Sequence, residues 1–540
     1  MTPVIHWRRP QTGRSAIYSK NGLVSSSQPL ASSAGIDVLK AGGSACDAAI
    51  AMASVLNVVE PFSTGIGGDV FALIYIPGDP SPRAINGSGF APKSLGYQQL
   101  TEELGLTQIP VRGPLPITVP GAVSAWQAIH DQYGRLPWED ILKPAIRYAQ
   151  EGFPVSPVIA HVWRDQVTVL RSHKGAARTY LTNNHQSPQT GEIWKQPALA
   201  DTLGQIAKEG STVFYNGEIA FRIEEFMQQE GGYLQETDLS NYEAEWTDPI
   251  SLELYDNLLW EHGPNGQGLT TLLILAIAKE LEIHQYPVNS AKYLHCLIEA
   301  KKIAFSDAFA YIADPKWMDP NWKMLLSPDY ANQRASFIKM DRVQRTPSLP
   351  YPLLGEDTVY LTAVDGEGYA ISFINSLFNG FGSGIVDPQT GIAFQNRGSC
   401  FNLVKNHPNQ YEPGKRPFHT IIPAMITSLD GELLYSFGVM GGHHQPQGQA
   451  QVYLNLVVHN MNPQQAIETP RFHHDQYTNT LALESPINIE TRLGLRNRGH
   501  RIIEEVGANF GGGQIIQRDP KSEVYCAGSD PRKDGQAQGF

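Results

Sequence analysis

Residues 29–59 carry apolar positions at helical spacing in two runs, Leu30 to Leu39 and Ala45 to Val58, divided by Gly42-Gly43. A glycine ends a helix at positive φ without a Cβ penalty, so the pair predicts a helix, a break and a second helix. The second run is rich in alanine and other small residues, which lets neighbours pack closely. The apolar run 71–76 predicts a buried strand, entered through the turn Gly65-Ile66-Gly67-Gly68. From 126 to 311 the spacing is mainly helical, most clearly at 141–151, 199–209 and 290–313. Residues 314–356 then turn polar and bear Pro315, Pro320, Pro328, Pro347, Pro350 and Pro352, the composition of an exposed linker.

At Thr358 the chain takes on β character. Residues 358–364 and 369–373 read as strands on either side of Asp365-Gly366-Glu367-Gly368, which predicts a hairpin with Thr358 at its leading end. A further strand at 433–439 runs through Gly441-Gly442 into a helical stretch at 449–460. The chain therefore reads helix-rich first and strand-rich later, as layered sheets and helices, and it shows no internal repeat.

Composition narrows the function. The 540 residues carry a formal net charge of -12 with no basic stretch to offset it, which argues against a nucleic-acid partner. Cys46, Cys296, Cys400 and Cys526 are scattered, without a CxxC pair, so neither a zinc site nor a disulfide framework is expected. Residues 1–20 read as a flexible tail. They lack the run of roughly 7–15 apolar residues that a secretory signal needs. No window reaches the ~18 apolar residues of a membrane span. The expectation is a cytoplasmic protein that engages neither membrane nor nucleic acid.

The chemistry centres on Asp357-Thr358. A threonine hydroxyl is a weak nucleophile unless a base stands beside it, and a chain-terminal threonine can use its own α-amine. That amine titrates at about 7.7–8.0 without tuning, whereas a lysine would need a shift of about two units or more. The route requires cleavage between Asp357 and Thr358, and a polar, proline-bearing segment ahead of Thr358 would make such a cut feasible.

The surrounding motifs resemble the γ-glutamyltranspeptidase family from Asn21 to Phe540. They are Ala41-Gly42-Gly43-Ser44-Ala45-Cys46-Asp47-Ala48-Ala49, Gly65-Ile66-Gly67-Gly68-Asp69, Val119-Pro120-Gly121-Ala122 and Glu299-Ala300-Lys301 with Asp314-Pro315. Later come Phe381-Gly382-Ser383-Gly384-Ile385, Gly441-Gly442, Thr469-Pro470-Arg471-Phe472 and Gly528-Ser529-Asp530-Pro531-Arg532. The resemblance implies an α+β, four-layer αββα N-terminal-nucleophile sandwich that cuts itself into two subunits. The large subunit would be 21–357, ending in a linker at about 314–357, and the small one 358–540. They would stay associated, in a possible dimer of heterodimers. It also implies Thr358 as nucleophile, Ser376 as the hydroxyl that orients it, and Gly441-Gly442 as donors to the oxyanion. No cofactor or metal is implied.

The family's pocket for an α-amino acid is altered. Ser88 stands where an arginine is usual, Phe378 where asparagine is, Arg397 where glutamine is, and Cys400 where aspartate is; the flanking serines are replaced by His419-Thr420. An α-ammonium would meet the cation Arg397 and lack its acidic acceptor, whereas a guanidinium suits a carboxylate. Together with Asn396, these residues form the expected substrate contacts. They resemble the acylase-like branch, which includes cephalosporin acylases and oxamate amidohydrolase.

The expected function is therefore an autoprocessed hydrolase or acyltransferase acting on a small acidic amide or acyl group. γ-Glutamyl transfer or glutathione hydrolysis, within glutathione metabolism, is one alternative, and an uncleaved, non-catalytic binding relative is another. His443-His444 and His473-His474 lack the spacing of a metal site. Gly380-Phe381-Gly382-Ser383-Gly384 lacks the strand-before, helix-after setting of a phosphate loop.

Overall fold

The structure is a computed structural model that describes residues 13–344, 357–503 and 510–540. Its centre is a pair of stacked sheets, each of seven strands among the described residues. In one, Asp357–Val364 lies between Leu23–Ser26 and Ala370–Phe378, and Asp69–Tyr75 follows on the far side of Ala370–Phe378. In the other, Leu433–Met440 lies between Gly512–Arg518 and Ala424–Ser428, with Asn257–Glu261 beyond.

The period-two pattern decides which side chains face which layer. In the first sheet Val359, Leu361 and Ala363, with Ile371, Phe373, Val70, Ala72 and Ile74, enter a core shared with the helices. The alternate residues Tyr360, Ile374 and Phe71 pack between the sheets against Ile421 and Met440. Hydroxyls cross the same interface: Thr362 Oγ1 lies 2.7 Å from Ser436 Oγ, and Ala424 N–H donates to Ser372 Oγ at 3.1 Å. Burying such a large aliphatic or aromatic side chain contributes about 1.5–3 kcal/mol.

Helices cover both outer faces. Pro29–Lys40 and Ala45–Val59 belong to the first core, and every residue of Ala45–Val59 is buried. Its start is secured by a capping box between Ser44 and Asp47. Gly268–Glu280, Ala291–Tyr311 and Gln445–Val457 cover the second sheet. The order is helix, sheet, sheet, helix, as expected.

Two boundaries differ from expectation. The tail placed at 1–20 gives way to an edge strand at Ile17–Ser19, which pairs with Tyr525–Ser529 and completes that sheet. Residues 1–12 lie outside the described residues. The linker placed at 314–357 is helical in its first part, with Pro315–Trp317, Trp322–Leu326 and Pro328–Ser336. Leu325, Ala335 and Ile338 bury themselves in the second core, and proline opens Pro315–Trp317 and Pro328–Ser336, where its missing N–H costs nothing. Residues 345–356, which hold Pro347, Pro350 and Pro352, lie outside the described residues. Within the long stretch read as helical, Glu245–Thr247, Ile250–Leu254 and Asn257–Glu261 are strands.

Candidate active site

Three side chains line up across one end of the first sheet. Asp69 heads its strand, Ser376 stands opposite it near the end of the neighbouring strand, and Thr358 is the second residue of the strand after that. Thr358 Oγ1 lies 3.0 Å from Ser376 Oγ, and Thr358 is 1% exposed. Both hydroxyls also reach the carbonyl of the Asp357-Thr358 peptide, at 2.7 Å from Thr358 and 3.2 Å from Ser376. The turn before Asp69 must approach closely: a Cβ on Gly68 would run into the Ser376 carbonyl, so glycine is required there.

Arg397 completes the group. It is wholly buried, donates from one terminal nitrogen to Thr420 Oγ1 at 2.7 Å and from the other to Ser376 Oγ at 3.3 Å. One hydroxyl thus separates the guanidinium from Thr358. Its Nε faces Asp69 Oδ2 at 3.6 Å, an ion pair too long for a hydrogen bond. The guanidinium lies over the Phe378 ring at 4.3 Å. Phe378 has φ 79°, a left-handed conformation unusual for a bulky residue and costing on the order of 1–3 kcal/mol. That bend ends the strand where the ring meets Arg397. The Cys400 thiol also faces Arg397, and burial pushes it up to about 11, so it stays protonated.

Burial pushes Asp69 up to about 7, with Arg397 and the Gly89 N–H holding it back. His419 Nε2 lies 3.1 Å from Asp69 Oδ2. Burial and the charge of Arg397 keep His419 well below the ordinary histidine range, hence neutral. Beside them, Phe71 stacks on His262 at 3.9 Å. Asp357 is pushed up to about 6 by burial, with Lys533 and Arg112 opposing the shift.

Gly441 and Gly442 follow the strand Leu433–Met440, with φ of 126° and 54°, conformations that glycine tolerates best. Gln267 ties this turn to the rest. Its amide donates to Thr420 O at 2.6 Å and to Gly442 O at 3.1 Å. Of the residues expected at the site, Thr358, Ser376, Arg397, Thr420, Phe378, Cys400 and His419 come together, and Gly442 joins through Gln267. Asn396 is spent elsewhere: its amide nitrogen bonds Val111 O and Asn379 Oδ1, each at 2.7 Å, and its oxygen accepts from Asn379 N–H. The Ser88 hydroxyl likewise donates to Asn86 Oδ1, at 2.7 Å.

Sequence reasoning assigned no role to Asp69, His262 or Gln267. Asp69 carried a signal, being a charge at the head of the otherwise apolar strand Asp69–Tyr75, in phase with the residues that face the second sheet. His262 and Gln267 lie around a turn with no distinguishing spacing.

Two helix-flanked stacked sheets of this kind define the N-terminal-nucleophile hydrolase class of fold. A cephalosporin acylase from Bacillus halodurans shares it at a TM-score of 0.90 and 41% identity, covering 100% of this chain and 99% of that one. The family model for γ-glutamyltranspeptidase matches residues 31–540. The chain belongs to the γ-glutamyltranspeptidase family, as an amide hydrolase or acyltransferase of its acylase-like branch. A glutathione hydrolase-like YwrD proenzyme of Bacillus subtilis is 37% identical over 96% of this chain and 98% of its own length. An oxamate amidohydrolase proenzyme of Klebsiella pneumoniae is 36% identical over 97% and 99%. No helix among the described residues is long and apolar enough to cross a membrane.

Proposed function

We propose that the chain is cut between Asp357 and Thr358 and that Thr358 then attacks the carbonyl of a small acidic amide. In the first stage Thr358 Oγ1 attacks the Asp357 carbonyl, whose oxygen already meets the hydroxyls of Thr358 and Ser376. The peptide C–N bond then breaks as its nitrogen takes the hydroxyl proton, and water hydrolyses the resulting ester, leaving residues up to Asp357 as the large subunit and those from Thr358 as the small one. They remain associated, since both sheets contain strands from each side of the cut.

In the second stage the freed α-amine takes the hydroxyl proton as Oγ1 adds to the substrate carbonyl. Ser376 orients the hydroxyl, and the Gly441-Gly442 turn donates N–H groups to the oxyanion. The C–N bond breaks as the leaving amine receives the proton. Water, or an acceptor amine, then attacks the acyl-enzyme and regenerates Thr358. The chain supplies this chemistry from its own groups.

The observation that carries the acidic specificity is the 3.3 Å contact from Arg397 to the same Ser376 hydroxyl that meets Thr358. A substrate carboxylate a few bonds from the scissile carbonyl can reach the guanidinium while Thr358 reaches the carbonyl. No acidic side chain takes the position where the family holds an α-ammonium, since Cys400 stands there. The oxamate named for the Klebsiella relative is an amide of this kind. A cytoplasmic location is consistent with four buried, unpaired cysteines.

The test is a rate comparison on the processed protein between oxamate, malonamate and succinamate and γ-glutamyl amides, including glutathione. Faster turnover of the dicarboxylic monoamides is expected. Faster turnover of the γ-glutamyl compounds would replace this reading with the glutathione hydrolase activity suggested by the name of the Bacillus relative.

A further inference from the structure

This inference rests on the reading of Arg397 as the seat of an anionic substrate group. A wholly buried guanidinium requires a counter-charge, because an isolated buried ion is costly. Asp69 supplies it, yet the two are not locked together. Arg397 Nε has no hydrogen-bond partner and stands 3.6 Å from Asp69, while the terminal nitrogens are turned to Thr420 and Ser376. Asp69 is held by other groups: Gly89 N–H donates to Oδ1 at 3.2 Å, and His419 Nε2 meets Oδ2 at 3.1 Å. The carboxyl therefore keeps its place whether or not it is charged.

The groups around Asp69 leave few alternatives for balancing charge. His419 Nδ1 accepts from Ile421 N–H at 3.3 Å, so Nε2 carries the proton and the ring is a neutral donor. Burial also lowers His262, to about 4. Tyr215, Tyr242 and Cys400 feel the Asp69 charge and are themselves pushed up by burial, so they stay protonated. Arg416 acts on Asp69 too, but its guanidinium is paired with Glu245 at 2.8 Å. Arg397 and Asp69 are thus the local cation and anion of the pocket. A substrate carboxylate brought to Arg397 would place two anions beside one cation in a dry site, and like charges so close cannot both remain ionised cheaply.

We propose that Asp69 is the exchangeable counter-ion of Arg397, taking up one proton from solvent as an anionic substrate group binds and returning it when that group leaves. One negative charge and one proton enter together, so the pocket stays neutral. Burial already brings Asp69 up to about 7, so the uptake is inexpensive near neutral pH. Asp69 is a positioning residue that sets how the site accepts an anion.

The experiment is calorimetric titration of the processed protein with malonate at pH 8, in buffers of low and high ionisation enthalpy, for wild type and Asp69→Asn. The expected result is buffer-dependent heat corresponding to uptake approaching one proton in wild type, with most of it lost in the variant. The Thr358 α-amine titrates in the same range but is present in both proteins, so the difference isolates Asp69. Uptake that is absent from wild type, or equal in the two, overturns the proposal.

If Asp69→Asn does not fold, wild-type kinetics decide. KM for malonamate should be level below about pH 7 and rise towards roughly tenfold per pH unit above it, relative to uncharged malonamide. Parallel profiles overturn the proposal. Malonate that fails to bind while γ-glutamyl amides turn over would instead remove the acidic-pocket reading itself, and this inference with it.

Discussion

Ser376 stands directly opposite Asp69 in the antiparallel register of neighbouring strands, and its hydroxyl is the point where Thr358 and Arg397 meet. One small side chain therefore couples the group proposed to attack the carbonyl with the group proposed to hold the acid. The same hydroxyl accepts from Phe378 N–H at 2.8 Å, which fixes it at the bend beneath the guanidinium.

Ser376→Ala removes that junction without adding volume. Turnover should fall by roughly tenfold or more, equivalent to about 1.4 kcal/mol of lost transition-state stabilisation. Self-cleavage should also slow, since Ser376 contacts the Asp357 carbonyl. Steady-state kinetics and a time course of precursor loss measure the two effects separately.

Arg397→Met leaves Asp69 buried without its counter-charge. Selectivity for dicarboxylic monoamides over their uncharged diamides should disappear. The loss of thermal stability relative to wild type should be larger above about pH 7, where wild-type Asp69 is ionised and paired, than below it, because without Arg397 burial pushes the carboxyl higher still and keeps it protonated. Breaking a buried ion pair typically costs about 3–5 kcal/mol, an upper limit here because Asp69 can neutralise itself. Melting curves at pH 6 and pH 8 provide the check.

Gln267→Ala cuts both bonds that tie the Gly441-Gly442 turn to Thr420. Loosening proposed oxyanion donors should lower kcat more than it raises KM, because the lost interaction belongs to the transition state. A KM increase with kcat unchanged would instead place this turn in ground-state binding.

His500 offers a pH test away from the site. Its Nε2 lies 2.8 Å from His295 Nδ1, and burial with the nearby His295 lowers it to about 3. The unfolded chain binds a proton on this ring below about pH 6.5 while the folded one does not, so its contribution falls as pH drops from 6.5 towards 3. His500→Gln should lose less stability between pH 6.5 and 4 than wild type, by up to about 1.4 kcal/mol per pH unit. Denaturant midpoints across that range measure it.

Much of this was legible in sequence because the chain announces its alternations. The hairpin at Thr358 emerged as Asp357–Val364 paired with Ala370–Phe378, and the small-residue run at 45–58 became a fully buried helix. Thr358, Ser376 and Arg397 were found by matching motifs, since separations of 18 and 21 residues carry no local periodicity. The helices at 315–336 were missed because proline and polar residues look the same in a linker and at helix first turns. Asp69 was passed over because its role depends on register with Ser376, a relation that only strand pairing creates. The Asn396 amide is consumed by its loop neighbours, which its position beside Arg397 did not reveal.

The most direct test of the central claim is intact-mass spectrometry of the purified protein after incubation at neutral pH, beside Thr358→Ala. The expected result is two fragments meeting between Asp357 and Thr358 in the wild type, a single uncut chain in the variant, and amide hydrolysis only from the cut protein. A wild type that stays whole while hydrolysing amides, or a variant that is cut and active, would contradict the assignment of Thr358 as the N-terminal nucleophile.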